Sequence, residues 1–172
     1  LDRLAPEFDG YRIVQLADLH VGHLLKRPWL EAVIDSTNEL KPDAIVLVGD
    51  MIEGPEATLA SEVQGYGRLK AADGVYGVTG NHEWHHGAAP WIEYFEENGI
   101  RMLENKHHVI ARGNAQLVLA GTTDLSATRY GAFGPDLKKA LEGAPEAATI
   151  LLAHQPKGAK ELQGVDLQLS GH

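Results

Sequence analysis

Apolar residues along this chain fall into short, nearly continuous runs separated by longer stretches at helical spacing. Arg12–Leu16 (RIVQL), Ala44–Val48 (AIVLV) and Val75–Thr79 (VYGVT) are short and rich in β-branched residues, as strands covered on both faces of a parallel sheet should be. Between the first two, Trp29, Leu30, Val33, Ile34, Thr37 and Leu40 recur at helical spacing behind Pro28. That predicts a helix over 28–40 with proline in its first turn. Residues 55–72 carry a weaker helical pattern, interrupted by Gly65 and Gly67, and 88–98 reads as a helix stopping before Gly99.

Beyond Gly99 the pattern changes. Ile100–Leu103, His107–Ala111 and Gln116–Gly121 read as successive short strands, with Gly113-Asn114 as a turn between the last two. They mark the start of a second sheet or of an antiparallel extension. Pro135–Leu141 and Pro156–Leu162 read as short helices flanking a strand over Thr149–Ala153, and Asp166–Ser170 as a closing strand. The expected class is α/β, with layered mixed sheets flanked by helices.

Composition narrows this little. At 172 residues, 44% hydrophobic and 23% charged, the chain fits one globular domain over 1–172 with a sizeable core. A net charge of −9 argues against a protein that holds nucleic acid by neutralising phosphates, so no nucleic-acid partner is expected. Some of that acidity suits ligand carboxylates awaiting cations. The absence of cysteine removes disulfides, thiolate ligands and a thiol nucleophile. No apolar run is long enough to span a bilayer. The chain starts at Leu1, without a Met or a signal-peptide pattern, and both ends look cut.

The chemistry lies just past the end of each strand. After the first comes Asp18-Leu19-His20, after the second Gly49-Asp50-Met51-Ile52-Glu53-Gly54, and after the third Gly80-Asn81-His82-Glu83. His154 comes directly after the strand near residue 150, and Gly171-His172 after the closing strand. Taken singly, each has an ordinary explanation: a capping Asp, a turn, a loop Asn, a structural histidine. Taken together, they place metal-ligand residue types at the carboxyl ends of strands, where α/β sheets bind ligands. Imidazole, carboxylate and amide oxygen without sulfur suit Mn, Fe, Co, Ni or Zn better than Ca or Mg. A carboxylate has two oxygens and can bridge two ions, and Asp50 is the natural bridge. Two ions about 3.5–4 Å apart can hold a hydroxide between them and clamp a phosphoryl group for in-line displacement. The leaving oxygen then needs a proton from a nearby histidine that is not a ligand.

The ordered set DLH, GDMIEG, TGNHE, LLAHQP and SGH resembles the pattern of calcineurin-like metallophosphoesterases: D-x-H, GD, GNH[DE], a lone His, then G-H-x-H. Four motifs match in full and the fifth in its first half, over essentially the whole chain. The flanking text "FDGYRIVQLADLHVG", "VTGNHEW" and "LLAHQPKGAKELQGVDLQLSGH" is similar to a bacterial branch of phosphodiesterases, often anchored by transmembrane helices upstream. The resemblance implies an α-β-β-α sandwich, incomplete at its C-terminus because the chain stops inside the last motif.

It also implies one metal site from Asp18, His20 and Asp50 and a second from Asp50, Asn81, His154 and His172, with Mn favoured among the divalent ions. His82 would be the general acid or a donor to the phosphoryl oxygen, and Glu83 would orient an imidazole. The expected activity is hydrolysis of a phosphodiester or pyrophosphate by a metal-bridging hydroxide. The alternative is a metal-binding but silent interaction module of the same fold. Membrane association, if present, would come from a segment outside these residues.

Other polar residues rank lower. Glu53 is read as starting the helix after Pro55 and is left out of the site. His85, His86 and His23 are read mainly as solvated loop residues, with a substrate role as the lesser option. His107 and His108, adjacent on a strand, point to opposite faces and cannot act as a pair. Asp124 either lines the crevice or caps a turn.

Overall fold

The computed structural model describes residues 1, 3–157 and 162–172. Its first sheet comprises β1 (Ile13–Leu16), β2 (Ala44–Val48), β3 (Val75–Val78) and β4 (Ile100–Met102), all parallel and in that order. The second comprises β5 (Lys106–Arg112), β6 (Ala115–Gly121), β7 (Ala148–Leu152) and β8 (Leu167–Leu169); β5 and β6 pair antiparallel and the rest parallel. The helices are α1 (Arg27–Glu39), α2 (Glu56–Leu59), α3 (Asn81–His85), α4 (Ala88–Glu97) and α5 (Leu137–Ala140). No helix among the described residues is long and apolar enough to cross a membrane.

The two-residue period of β2 shows how the layers stack. Ile45 and Leu47 pack with Leu30 and Ile34 of α1 and with Trp91 and Phe95 of α4. Ala44, Val46 and Val48 face the other way, against Leu117 and Leu119 of β6 and Ile150 and Leu152 of β7. Alternate side chains of one strand therefore supply two cores, which is why this strand is apolar throughout. Burying each large aliphatic side chain contributes roughly 1.5–3 kcal/mol. The Trp91 indole N–H, fully buried, donates to Gly54 O at 3.0 Å and so ties α4 to the loop after β2.

Several elements differ from the pattern's prediction. Ile100–Met102 joins the first sheet beside β3, so the second sheet begins only at β5. The helix expected over 55–72 is broken into α2 and a 3₁₀ turn over Gln64–Arg68. A Cβ at Gly65 would sit 2.9 Å from Ile34 Cδ1 and one at Gly67 2.9 Å from Asn98 Oδ1, so these glycines permit close packing. The short helix over 135–141 is reduced to α5. The helix expected over 156–162 falls partly on residues 158–161, outside those described.

Candidate metal centre

Strands β1, β2, β3, β7 and β8 end on the same edge, and the residue types predicted there converge. Asp50 is central. It is only 3% exposed, and its Oδ1 accepts the His82 backbone N–H at 2.9 Å. Its Oδ2 lies 3.1 Å from His154 Nε2, 3.8 Å from His20 Nε2 and 3.9 Å from His82 Nε2. Two groups of ligand atoms each fall within 4.8 Å of one another: Asp18, His20 and Asp50, and Asp50, His154 and His172. Asn81 joins the second, with its Oδ1 3.2 Å from His154 Nε2 and 3.0 Å from His172 Nδ1. Asp50 thus belongs to both groups.

The second group is short of positive charge. His154 Nδ1 is 2.8 Å from Val48 O, and a carbonyl only accepts, so Nδ1 carries the proton and donates it. In the neutral ring Nε2 is then a bare lone pair facing the Asp50 carboxylate and the Asn81 carbonyl. Three acceptors pointing at one another need a cation or a proton between them. Burial alone lowers the His154 pKa, but hydrogen bonding to Asp50 and Val48 overrides it and carries it up to about 9. Against the opposing effect of its burial, His154 and the His82 backbone N–H hold Asp50 below the usual carboxylate range. Without a metal, a proton takes the cation's place. The donor set therefore fits a borderline divalent ion, and the Val48 contact supplies the orienting partner a ligand imidazole needs.

This has a measurable consequence in the metal-free protein. A histidine pKa raised in the folded state stabilises fully below the unfolded value near 6.5 and loses that contribution as pH rises through about 9. The loss is at most roughly 3 kcal/mol, because Asp50 shares the same interaction. Chelated protein should melt at a lower temperature at pH 9 than at pH 6.5, and bound metal should shrink the difference. A flat melting profile in the chelated protein would refute the proton's role.

Backbone geometry shapes the site as much as side-chain chemistry does. Among the described residues, six non-glycine positions have positive φ, and four are predicted ligands: Asp18 (55°), His20 (44°), Asp50 (54°) and His172 (67°). Each such conformation costs about 1–3 kcal/mol and persists only where surrounding structure over-determines it. The motif glycines serve close approach. An added Cβ would lie 2.6 Å from His154 Nδ1 at Gly49, 2.3 Å from Asp50 Oδ1 at Gly80 and 2.3 Å from Asp18 Oδ2 at Gly171. The His172 backbone N–H completes that last contact, 3.0 and 3.1 Å from the two Asp18 oxygens.

Two acidic residues act differently from expectation. Glu83 orients no imidazole: buried at 1% exposure, it accepts the backbone N–H groups of Gly80, Asp50 and Met51 at 2.6, 2.9 and 2.8 Å. It clamps the loops after β2 and β3 together, although burial pushes its pKa up. Glu53, read as a helix starter, reaches the site instead. Its Oε2 lies 3.0 Å from His20 Nδ1 and 2.7 Å from His82 Nδ1, and its Oε1 3.3 Å from His86 Nε2. Accepting the His20 Nδ1–H leaves His20 Nε2 free to face Asp50.

The remaining candidates spread out. His85 Nδ1 meets Tyr130 OH at 3.2 Å, and His23 stays exposed in the loop after β1. His107 and His108 take separate partners, Ala140 O and Arg101. Asp124 caps the 3₁₀ turn over Leu125–Tyr130 by accepting Ser126 N–H at 2.8 Å, and Gln155 Nε2 donates to it.

Comparison with known proteins finds similar chains in several organisms. A "Transmembrane protein with metallophosphoesterase domain" from Danio rerio is 37% identical over 183 residues, covering 100% of this chain and 42% of that protein. An uncharacterized metallophosphoesterase from Helicobacter pylori is 34% identical over 176 residues, covering 100% of this chain and 46% of its own length. The chain thus spans less than half of each, and its relatives are not confined to bacteria. Among solved structures, Haemophilus influenzae NAD nucleotidase superposes with a TM-score of 0.67 at 17% identity, over 93% of this chain and 38% of that one. Residues 11–172 match the family model described as calcineurin-like phosphoesterase, and the chain belongs to that metallophosphoesterase family.

Proposed function

We propose that residues 1–172 form part of one catalytic domain, a dinuclear metal-dependent phosphoesterase that prefers phosphodiesters or pyrophosphates. The observation that carries this is the acceptor-only cluster around Asp50, flanked by a histidine outside both ligand groups. Asp18, His20 and Asp50 would hold one ion, and Asp50, Asn81, His154 and His172 the other, with Mn as the expected activator. When bound, such a pair polarises phosphoryl oxygens and lowers the pKa of water.

The chain's own residues do the rest. His82, its backbone fixed on Asp50 Oδ1 and its Nε2 3.9 Å from Asp50 Oδ2, hands a proton to the departing ester oxygen. Glu53 holds His20 with its lone pair toward Asp50, and Glu83 keeps the two ligand loops in register.

Charge supports the diester preference. The side chains whose ligand atoms gather around Asp50 are carboxylates, imidazoles and one amide. A singly charged diester is repelled less than a monoester dianion by a chain of net charge −9. The Danio rerio relative's name supports attachment of the whole protein to a membrane through a segment outside these residues.

With Mn added, the chain should hydrolyse bis(p-nitrophenyl) phosphate faster than p-nitrophenyl phosphate and bind two ions per chain. Faster monoester hydrolysis would overturn the preference. Two bound ions with no hydrolysis of either would replace the enzyme with a metal-binding interaction module.

A further inference from the structure

The Glu53 cluster offers more than orientation of His20. One ring nitrogen each of His20 and His82 and a carboxylate oxygen of Glu53 lie within 4.8 Å of one another. Glu53 Oε2 is 3.0 Å from His20 Nδ1 and 2.7 Å from His82 Nδ1, while His86 Nε2 at 3.3 Å engages the other oxygen. Despite its short distance to Oε2, the buried His82 Nδ1 makes no hydrogen bond. One polar atom aimed into the cluster is therefore unpartnered, which is costly for a group out of reach of water.

A tetrahedral zinc with ligands at 2.0–2.1 Å separates them by about 3.3 Å, so the two Glu53 contacts would need to lengthen by only a few tenths of an ångström to take one. The cluster also opens to solvent, since the Glu53 side chain is 41% exposed and that of His82 30%. Two imidazoles, a carboxylate and an open position are a fitting set for that ion.

We propose that Glu53, His20 Nδ1 and His82 Nδ1 form a silencing cation site that competes with the first catalytic ion for His20. The proposal rests on the roles given above to His20 and His82. A neutral imidazole has one proton and one lone pair. Across this pair of sites, His20 must therefore choose: an ion on Nδ1 keeps the proton on Nε2, which then cannot ligate beside Asp18 and Asp50. His82 is disabled by the same step. With Nδ1 coordinated it no longer becomes an imidazolium, and its remaining Nε2–H is a far weaker acid. An ion in the Glu53 site thus removes a ligand and the proton donor together, while His154 and His172 keep theirs.

Zinc is the probe, because its diamagnetism allows the imidazole nitrogens to be followed by ¹H–¹⁵N spectroscopy. In excess zinc, the His82 Nδ1 resonance should move into the metal-bound range. Hydrolysis by the Mn-loaded protein should fall by about 10²-fold or more, and added Mn should restore it. In Glu53→Gln the His82 Nδ1 shift should vanish while that of His154 Nε2 persists. A His82 Nδ1 that stays unbound at every zinc concentration overturns the site, as does an unchanged shift in Glu53→Gln. If Nδ1 binds zinc in a protein that hydrolyses nothing, the site stands and the phosphoesterase proposal fails.

Discussion

Replacing His82 with alanine should leave two ions bound and lower kcat by about 10² to 10⁴-fold, the usual worth of a positioned proton donor. The substitution is unusually clean. The link between His82 and Asp50 Oδ1 is made by the backbone N–H at 2.9 Å, which alanine keeps, so the bridging carboxylate should not move. The lost imidazole is partly exposed, its side chain 30% accessible, and its Nδ1 makes no hydrogen bond. Removing it therefore leaves no new unsatisfied partner and costs little stability. A second readout separates proton donation from a merely structural effect. Diesters with more acidic leaving groups depend less on a donor, so the deficit should shrink along such a series. Wild-type turnover in His82→Ala would sink the role, and a deficit independent of the leaving group would point to transition-state hydrogen bonding instead.

How much of this was legible in the sequence depended on how local its cause was. The strand ends could be read because β1, β2, β3 and β7 are short apolar runs, each with its polar ligand types directly behind it, and α/β topology brings such ends together. The hairpin at Gly113-Asn114 was legible for the same reason. Glu53 was not. Its position before Pro55 suits a helix start, and its reach to His20, His82 and His86 depends on how the loops after β1, β2 and β3 stack. The spacing from Asp50 was the one available hint, since three residues further along a reversing loop can return a carboxylate to the same crevice. Glu83 stands out in the sequence but its partners do not, because backbone N–H groups leave no mark there. Likewise β4 looks like the start of a new sheet. Its two buried residues, Ile100 and Met102, fit either sheet, and only packing with α4 and β3 decides between them.

Gly80→Ala tests how tightly the two central loops must approach. Gly80 has φ −106° and ψ −173°, extended backbone open to any residue, so alanine incurs no conformational penalty there. Its N–H still donates to Glu83. The difference is the methyl group alone, which would lie 2.3 Å from Asp50 Oδ1 and 2.5 Å from the Asp50 backbone nitrogen. Neither atom is the free end of a flexible chain: Asp50 is held by Glu83 and His82. The loop after β2 must therefore shift, and with it the carboxylate shared by both ligand groups. Overpacking of this kind costs about 1–3 kcal/mol in stability, and catalysis is hit harder, since misplacing a catalytic group by about 1 Å can cost 10²-fold. Gly99→Ala is the control. Gly99 has φ 82° and nothing within 4 Å of an added Cβ, so its cost is conformational, about 1–2 kcal/mol, and it should keep both ions. The expected result is a pair of variants with similar losses in Tm, of which only Gly80→Ala loses metal and activity. Two tightly bound ions in Gly80→Ala would show that Asp50 can bridge from a displaced loop, and the close approach of Gly80 would then be a matter of packing instead of catalysis.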